Sequence, residues 1–177
     1  MKVLITLTLL QCLTQDKNSV TFNSEFRGNG KDYGYPIILR AFGAMADKIL
    51  TFNELDKVFV YGSLWNRTKS NNTWLEVDYI APSFDYISCF TTMGKIFKLP
   101  VSVGNKVKLP IVINRTIRDK HYYSITAVGN AAKLVNSNVD VDVLVYLEGY
   151  IDLVEWTNKE GEVQYFLKFI CVVVKVY

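Results

Sequence analysis

Apolar and polar residues alternate along most of this chain with the two-residue period of half-buried strands. One strand is predicted over Val3–Leu13, where Thr6 and Thr8 break the apolar run, and a second over Ser19–Phe26. The same pattern predicts strands over Tyr86–Met93 and Lys106–Ile113. Turn-like material separates the members of each pair, "QDKN" in the first and "VSVGN" in the second.

The pattern also repeats. "PIILRAFGAMADKILTFNELDKVFVYGSLW" (36–65) can be laid over "YYSITAVGNAAKLVNSNVDVDVLVYLEGYI" (122–151), so that Ala41-Phe42-Gly43-Ala44 meets Ala127-Val128-Gly129-Asn130. In each copy an apolar strand reaches a glycine and a short helix-compatible stretch follows, Ala44–Phe52 and Asn130–Asn136. A long alternating strand then ends in Gly-x-Leu or Gly-x-Ile, with one extra residue in the second copy. A hairpin closes each copy, "WNRTKSNNTWLEVDYIAP" in the first and "DLVEWTNKEGEVQYFLKFICVV" in the second. Each unit therefore reads strand–strand–strand–helix–strand–strand over roughly 85 residues, the scale of a small domain. Five strands with one short helix between the third and fourth is the layout of an OB-fold barrel. The expected fold is all-β: two tandem five-stranded OB barrels, residues 1–84 and 85–177, linked through "APSF" (81–84). That linker is too short to let the domains wander independently.

Composition agrees with strands. Half the residues are hydrophobic and 14% aromatic, mostly Tyr and Phe, a palette suited to pleated surfaces and opposed to wholesale disorder. The formal net charge of +3 implies no polyanion partner by itself, but its distribution is uneven. Lys95, Lys98, Lys106, Lys108, Arg115, Arg118 and Lys120 stand against the single acid Asp119, whereas Asp140, Asp142, Glu148, Asp152, Glu155, Glu160 and Glu162 oppose Lys159. A basic segment beside an acidic one is consistent with a charged binding face and equally with solvated loops.

Cys12, Cys89 and Cys171 lie far apart in apolar runs and read as buried thiols of a reducing, intracellular compartment, with no metal-ligand or redox spacing. The opening "MKVLITLTLLQCLTQ" has the outline of a short signal peptide but lacks a small-x-small cleavage site, and it suits a first strand. No stretch is long enough to span a membrane as a helix. The sequons at Asn66, Asn71 and Asn114 would matter only in a secreted chain.

The second copy resembles the bacterial and organellar single-stranded DNA-binding protein family. Tyr122 lies seven residues before Gly129 in "HYYSITAVGNAAKL", where that family has an aromatic before its Phe-Gly-Lys step. "VLVYLEGYI" is similar to the family's fourth strand with its Glu-Gly. Trp156 follows Gly149 by seven residues, where the family places a base-stacking aromatic. "WTNKEGEVQY" resembles the Trp-x-Asp-x-x-Gly-x-x-x-Tyr hairpin, with Asn158 in the place of the Asp. The first copy matches through "ILRAFGAMADKIL" and "KVFVYGSL"; its hairpin lacks the equivalent tryptophan, and Trp65 and Trp74 stand as substitutes. The sequence ends at "CVVVKVY", where family members often carry a disordered tail with an acidic, partner-recruiting tip; recruitment by that route is not expected.

The resemblance implies non-sequence-specific binding of single-stranded DNA, protecting or organising it in replication, recombination or repair. Such binding uses aromatic platforms for bases and cations for phosphates. The stacking candidates are Tyr122, Tyr123, Trp156 and Tyr165 in the second unit and Tyr35, Trp65 and Trp74 in the first. Alternation puts Tyr122 and Tyr123 on opposite faces, so at most one of them stacks. The phosphate candidates are Lys106, Lys108, Arg115, Arg118 and Lys120. RNA is not distinguished from DNA by such a surface. The family's habit of assembling several barrels implies a homodimer presenting four. Residues 1–88 balance nine basic against nine acidic residues, which points to assembly as the first barrel's role.

The competing reading is a tandem OB-fold protein-interaction subunit of a larger assembly, since fold does not fix function. Catalysis has little support: the one histidine, His121, has no nucleophile paired with it in sequence. "GNGKDYG" (28–34) lacks phosphate-loop spacing and falls between the second and third strands. Asp140 and Asp142 read as an edge-protecting pair on one strand face and not as a metal site. No cofactor is expected.

Overall fold

Successive strand side chains point to opposite faces, so the alternation of Val3, Ile5, Leu7 and Leu9 with Leu4, Thr6 and Thr8 puts one side of the first strand inside. A computed structural model, which describes residues 1–66, 73–114, 116 and 119–177, has this strand as β1 (Lys2–Gln15), with those four odd-numbered side chains at most 1% exposed. β2 (Ser19–Arg27), β3 (Gly34–Phe42), helix α1 (Ala44–Ile49), β4 (Lys57–Asn66) and β5 (Thr73–Pro82) follow. Then come β6 (Ser88–Ile96), β7 (Val101–Val103), β8 (Lys106–Asn114), β9 (Lys120–Ala127), helix α2 (Gly129–Asn138), β10 (Leu144–Thr157) and β11 (Val163–Val176). The fold is all-β.

The chain divides into two compact units. The N-terminal unit holds Lys2–Ser88 together with Leu153–Leu167; the C-terminal unit holds Cys89–Asp152, Lys168–Tyr177 and Met1. The outer half of the β10–β11 hairpin therefore belongs to the N-terminal unit.

In the N-terminal unit β1 pairs with β2 and β4, β2 with β3, β3 with β5 and β5 with β4, a circuit that closes a five-stranded barrel. Only β3 and β5 run parallel. The barrel is filled by side chains such as Leu7, Phe22, Phe26, Leu39, Val60, Leu64, Leu75 and Ile80. The buried hydroxyl of Ser24 donates to the carbonyl of Ile37 at 2.6 Å, so burying it leaves no unmet donor. Opposite Gly62 the β4–β5 register slips by one residue, which explains how Val77 and Ile80, of opposite parity, both point inward.

In the C-terminal unit the pairings run β6–β10–β11–β9–β8, and β8 returns to β6 at Lys95↔Val112 and Ile96↔Ile111. β9 and β11 are again parallel, at Phe169↔Ile125 to Cys171↔Ala127. Phe90, Leu109, Tyr123, Ile125, Leu147 and Phe169 fill this interior, with Phe169 edge-on to both Phe90 and Tyr123.

The two units solve the same local problems with corresponding residues. A Cβ on Gly62 would sit 2.1 Å from the carbonyl oxygen of Glu76, and one on Gly149 would sit 1.9 Å from that of Ile170; only glycine fits at either crossing. Leu55 and Asp142 both take positive φ, 70° and 66°, in the turn leading into β4 and β10. Leu55 donates its N–H to Leu9 at 2.7 Å and Asp142 donates to Ile96 at 2.8 Å. Gly43 and Gly129, the residues matched in the sequence repeat, open the helices at φ 51° and 57°.

Three expectations need correction. "VSV" is not turn material: Val101–Val103 pairs with Lys106–Lys108 as a short antiparallel hairpin, turned by Gly104 at φ +60°. Asp140 and Asp142 lie in the connection between α2 and β10, not on a strand, so strand alternation does not apply to them. Of the cysteines only Cys171 is buried. Cys12 is exposed because the last residues of the long β1 carry no buried face, and Cys89 sits on the outward side of β6.

Candidate nucleic-acid interface

The β8–β9 pair of the C-terminal unit has one buried and one open face. Val107, Leu109, Ile111, Tyr123 and Ile125 point inward, which sends Lys106, Lys108, Lys120 and Tyr122 outward by alternation. Antiparallel register sets Tyr122 opposite Val112, Lys120 opposite Asn114 and Lys108 opposite Thr126. Lys95 on β6 is the other neighbour of Val112. Lys95, Val112 and Tyr122 thus form one row across three strands, with Lys120 about 7 Å from Tyr122 along β9. Lys108 lies about 13 Å from Val112 along β8.

Tyr122 is 47% exposed, and its ring stands against Phe97, centroids 5.0 Å apart and planes at 76°. Phe97 is fixed by its backbone N–H donating to Pro110 at 3.1 Å, and the Lys98 ammonium lies 5.7 Å from its ring centre. Among the described residues no carboxylate lies within ion-pair distance of Lys95, Lys106, Lys108 or Lys120. The face combines a supported aromatic ring with uncompensated cations. Arg115 and Arg118 lie outside the described residues. Beside them in sequence, His121 is buried with Nε2 3.1 Å from Asp119 Oδ1, and alternation with Tyr122 turns its imidazole away from the open face.

Tyr123 is 4% exposed and belongs to the core. Trp156 is 51% exposed near the end of β10. Three residues earlier Leu153 is buried, close enough to the β2–β3 loop that a Cβ on Gly28 would come within 3.2 Å of the Leu153 Cβ. Alternation therefore turns Trp156 away from that loop. The hairpin tip beyond it is held by Asn158, whose side-chain oxygen accepts from the N–H groups of Glu160 and Glu162 at 3.0 and 2.8 Å. Its amide nitrogen donates to the Glu162 carboxylate at 2.8 Å, and Gly161 supplies the positive φ of the turn. Tyr165, on the returning strand, is half-buried with its ring stacked on Tyr33 at 4.2 Å.

In the N-terminal unit Trp65 and Trp74 are cross-strand partners on β4 and β5, both half-buried with indole nitrogens out of solvent. Tyr35 Oη is hydrogen-bonded to Thr73 Oγ1 at 3.0 Å. These three candidates gather at one end of that barrel, with less open ring surface than Tyr122 or Trp156. Phe97 was not among the residues singled out from the sequence; its signal there is its place between Lys95 and Lys98. Nor were Tyr61 and Tyr79, a cross-strand pair exposed by 42% and 46%. Lys2 and Lys48 lie over those two rings, 5.6 and 4.4 Å from their centres, and Lys2 is also paired with Asp78.

On β10, Tyr146 donates to Glu148, and that hydrogen bond holds its phenol above the usual range. Burial pushes the Cys171 thiol up to about 11. No group of three or more His, Cys, Asp or Glu side chains among the described residues could hold a metal ion. Among the described residues no helix is long and apolar enough to cross a membrane.

No protein-family profile matches this sequence, and no curated protein is similar to it. Solved structures do match the fold. The wild-type single-stranded DNA-binding protein from Thermus aquaticus superposes at a TM-score of 0.67 with 12% identity, covering 100% of this chain and 93% of that one. A deletion mutant of the same protein superposes at 0.68, again with 12% identity, covering 100% and 94%. The chain therefore shares, over its whole length, the fold of these proteins, members of the family its sequence resembles.

Proposed function

We propose that this chain is a non-enzymatic single-stranded DNA-binding protein built from two tandem OB barrels, residues 1–84 and 85–177, each with its short helix between the third and fourth strands. The β10–β11 arm of the second barrel extends into the N-terminal unit. Binding is centred on the second barrel and serves to protect or organise single strands in replication, recombination or repair.

The observation that carries this reading is the β8–β9 face: an exposed Tyr122 ring propped by Phe97, with Lys95 and Lys120 beside it and Lys108 farther along β8. None of these lysines is within ion-pair distance of a carboxylate among the described residues. Bases stack on such a ring with little sequence preference, contributing roughly 1–3 kcal/mol each, while the lysines follow the phosphates. Trp156 adds a second open aromatic. The fold shared with the Thermus protein supports the same reading.

The exposed tyrosines of the N-terminal unit differ in one respect. Of the cations beside them, Lys2 is neutralised by Asp78, and Lys48 stands over the Tyr79 ring. A tyrosine-rich face with one of its two lysines neutralised offers less to a polyanion and suits a protein partner. This favours assembly as the first barrel's role and a homodimer presenting four barrels.

The test is fluorescence anisotropy of a labelled oligo(dT) with wild type and Tyr122→Ala. Affinity should fall by roughly five- to a hundredfold, the equivalent of one lost base stack. Unchanged affinity in a folded variant would remove the β8–β9 face from the binding surface.

A further inference from the structure

The N-terminal unit holds a cleft of about 300 Å³ where β1, the β2–β3 loop and the turn after β5 meet. Arg27, Lys31 and Lys57 line it together with Thr6, Phe84 and Tyr86.

The turn that forms one wall is pinned. Thr6 Oγ1 donates to the carbonyl of Asp85 at 2.9 Å and accepts from the N–H of Ile87 at 3.0 Å. Ser83 donates its N–H to the carbonyl of Lys57 at 2.9 Å and its hydroxyl to that of Asp85 at 2.8 Å. Phe84 stands at the tip of this fixed turn, yet its ring is 97% exposed. The backbone that carries this aromatic is ordered and both ring faces are uncovered, so a base can stack on it without the turn having to rearrange. Tyr86 is steadied behind it by Phe26, ring centroids 6.0 Å apart.

The charge of the cleft is set by three cations against Glu25 and Asp85. Glu25 is tied to Arg27, accepting from Nε at 2.8 Å, which leaves the terminal guanidinium nitrogens available to another acceptor. Lys57 has no carboxylate partner among the described residues, and Lys31 sits 5.8 Å from the ring centre of Tyr33. Gly28 and Gly30 bring loop backbone to the rim without side chains.

We infer that this cleft binds one nucleotide unit of a single-stranded polynucleotide, with the base on Phe84 and the adjoining phosphate on Arg27, Lys31 and Lys57. The inference rests on the reading of the chain as a single-strand binder. It gives the N-terminal unit a nucleic-acid site apart from its tyrosine face.

Photo-crosslinking of the full chain to an oligo(dT) carrying 5-iodouracil, with peptides mapped by mass spectrometry, tests it. A crosslink at Phe84 or Tyr86 is expected, lost in Phe84→Ala, while crosslinks near Tyr122 or Trp156 persist in that variant. Lys31→Gln with Lys57→Gln should reduce the salt dependence of binding by about 0.7 in log–log slope for each phosphate that is no longer neutralised. Crosslinks confined to the C-terminal unit and the hairpin arm, with an unchanged slope in the double variant, would overturn the cleft site alone. No binding or crosslink anywhere would overturn the functional reading and the cleft with it.

Discussion

Tyr165 lies stacked on Tyr33, ring centroids 4.2 Å apart and planes 22° from parallel. One ring comes from the hairpin of the second repeat and the other from the β2–β3 loop of the first. One face of Tyr165 is thereby occupied, which separates it from Tyr122 and Trp156, whose rings are about half exposed. Tyr33→Ala and Tyr165→Ala should each destabilise the fold, with a coupling of roughly 1 kcal/mol in a double-mutant cycle followed by urea unfolding. Affinity for oligo(dT) should change far less in Tyr165→Ala than in Tyr122→Ala. A large loss of affinity with stability intact would assign the ring to DNA.

Adjacent tyrosines on β9 have opposite roles. Tyr123 is 4% exposed and packs edge-on against Phe169 at 5.8 Å. Tyr123→Ala should cost about 3–5 kcal/mol of stability, as large-to-small changes in aromatic cores do. Tyr122→Ala should leave the melting temperature within a few degrees of wild type while weakening DNA binding. Thermal melts of the two variants side by side check this division.

Gly62 and Gly149 are expected to be intolerant of any side chain. The atoms a Cβ would strike are backbone carbonyl oxygens at 2.1 and 1.9 Å, which cannot rotate aside as a flexible side chain could. Gly62→Ala and Gly149→Ala should each destabilise by about 3 kcal/mol or more. Alanine at Gly104, where nothing lies within 4 Å, should cost only the strain of its positive φ. Denaturant midpoints rank the three.

The cysteines should separate by accessibility. A chromogenic disulfide reagent at pH 8 should react promptly with Cys12 and Cys89 and with Cys171 only after unfolding. Burial raises the Cys171 thiol from 9.0 to about 11, so its neutral form is favoured in the folded state. Its contribution to stability is complete below pH 9 and is lost as pH rises towards 11, because the unfolded chain releases that proton first. Cys171→Ala should show a shallower decline in stability across that window, measured against wild type by denaturant titration.

The strands were legible in the sequence because a two-residue period survives wherever one face is buried, as in Val3–Leu9 or Val107–Ile111. The glycines at the two crossings were marked by Gly-x-Leu and Gly-x-Ile. Less legible was whatever depends on distant packing. Nothing local tells that the face of Tyr165 is covered by Tyr33, or that the hairpin arm clusters with the N-terminal unit. The strand Val101–Val103 was hidden by its shortness and by the Gly-Asn that follows it. Cys12 misled because its run is apolar, yet β1 continues past the point where it has a buried side. At the candidate interface, position along β9 separated Tyr122 from Tyr123, but which of the two faced outward needed the barrel.

If open aromatics and unpaired lysines hold single-stranded DNA, intrinsic tryptophan fluorescence titrated with poly(dT) must report it. Trp156 is the exposed tryptophan, while Trp65 and Trp74 keep their indole nitrogens out of solvent. Stacking on Trp156 predicts strong quenching at low salt and little quenching in Trp156→Ala. Phosphate neutralisation by the lysines predicts progressive loss of binding as salt rises, with a log–log slope of about −0.7 per phosphate. No quenching at low salt, or the same quenching in wild type and Trp156→Ala, would contradict this mode of binding.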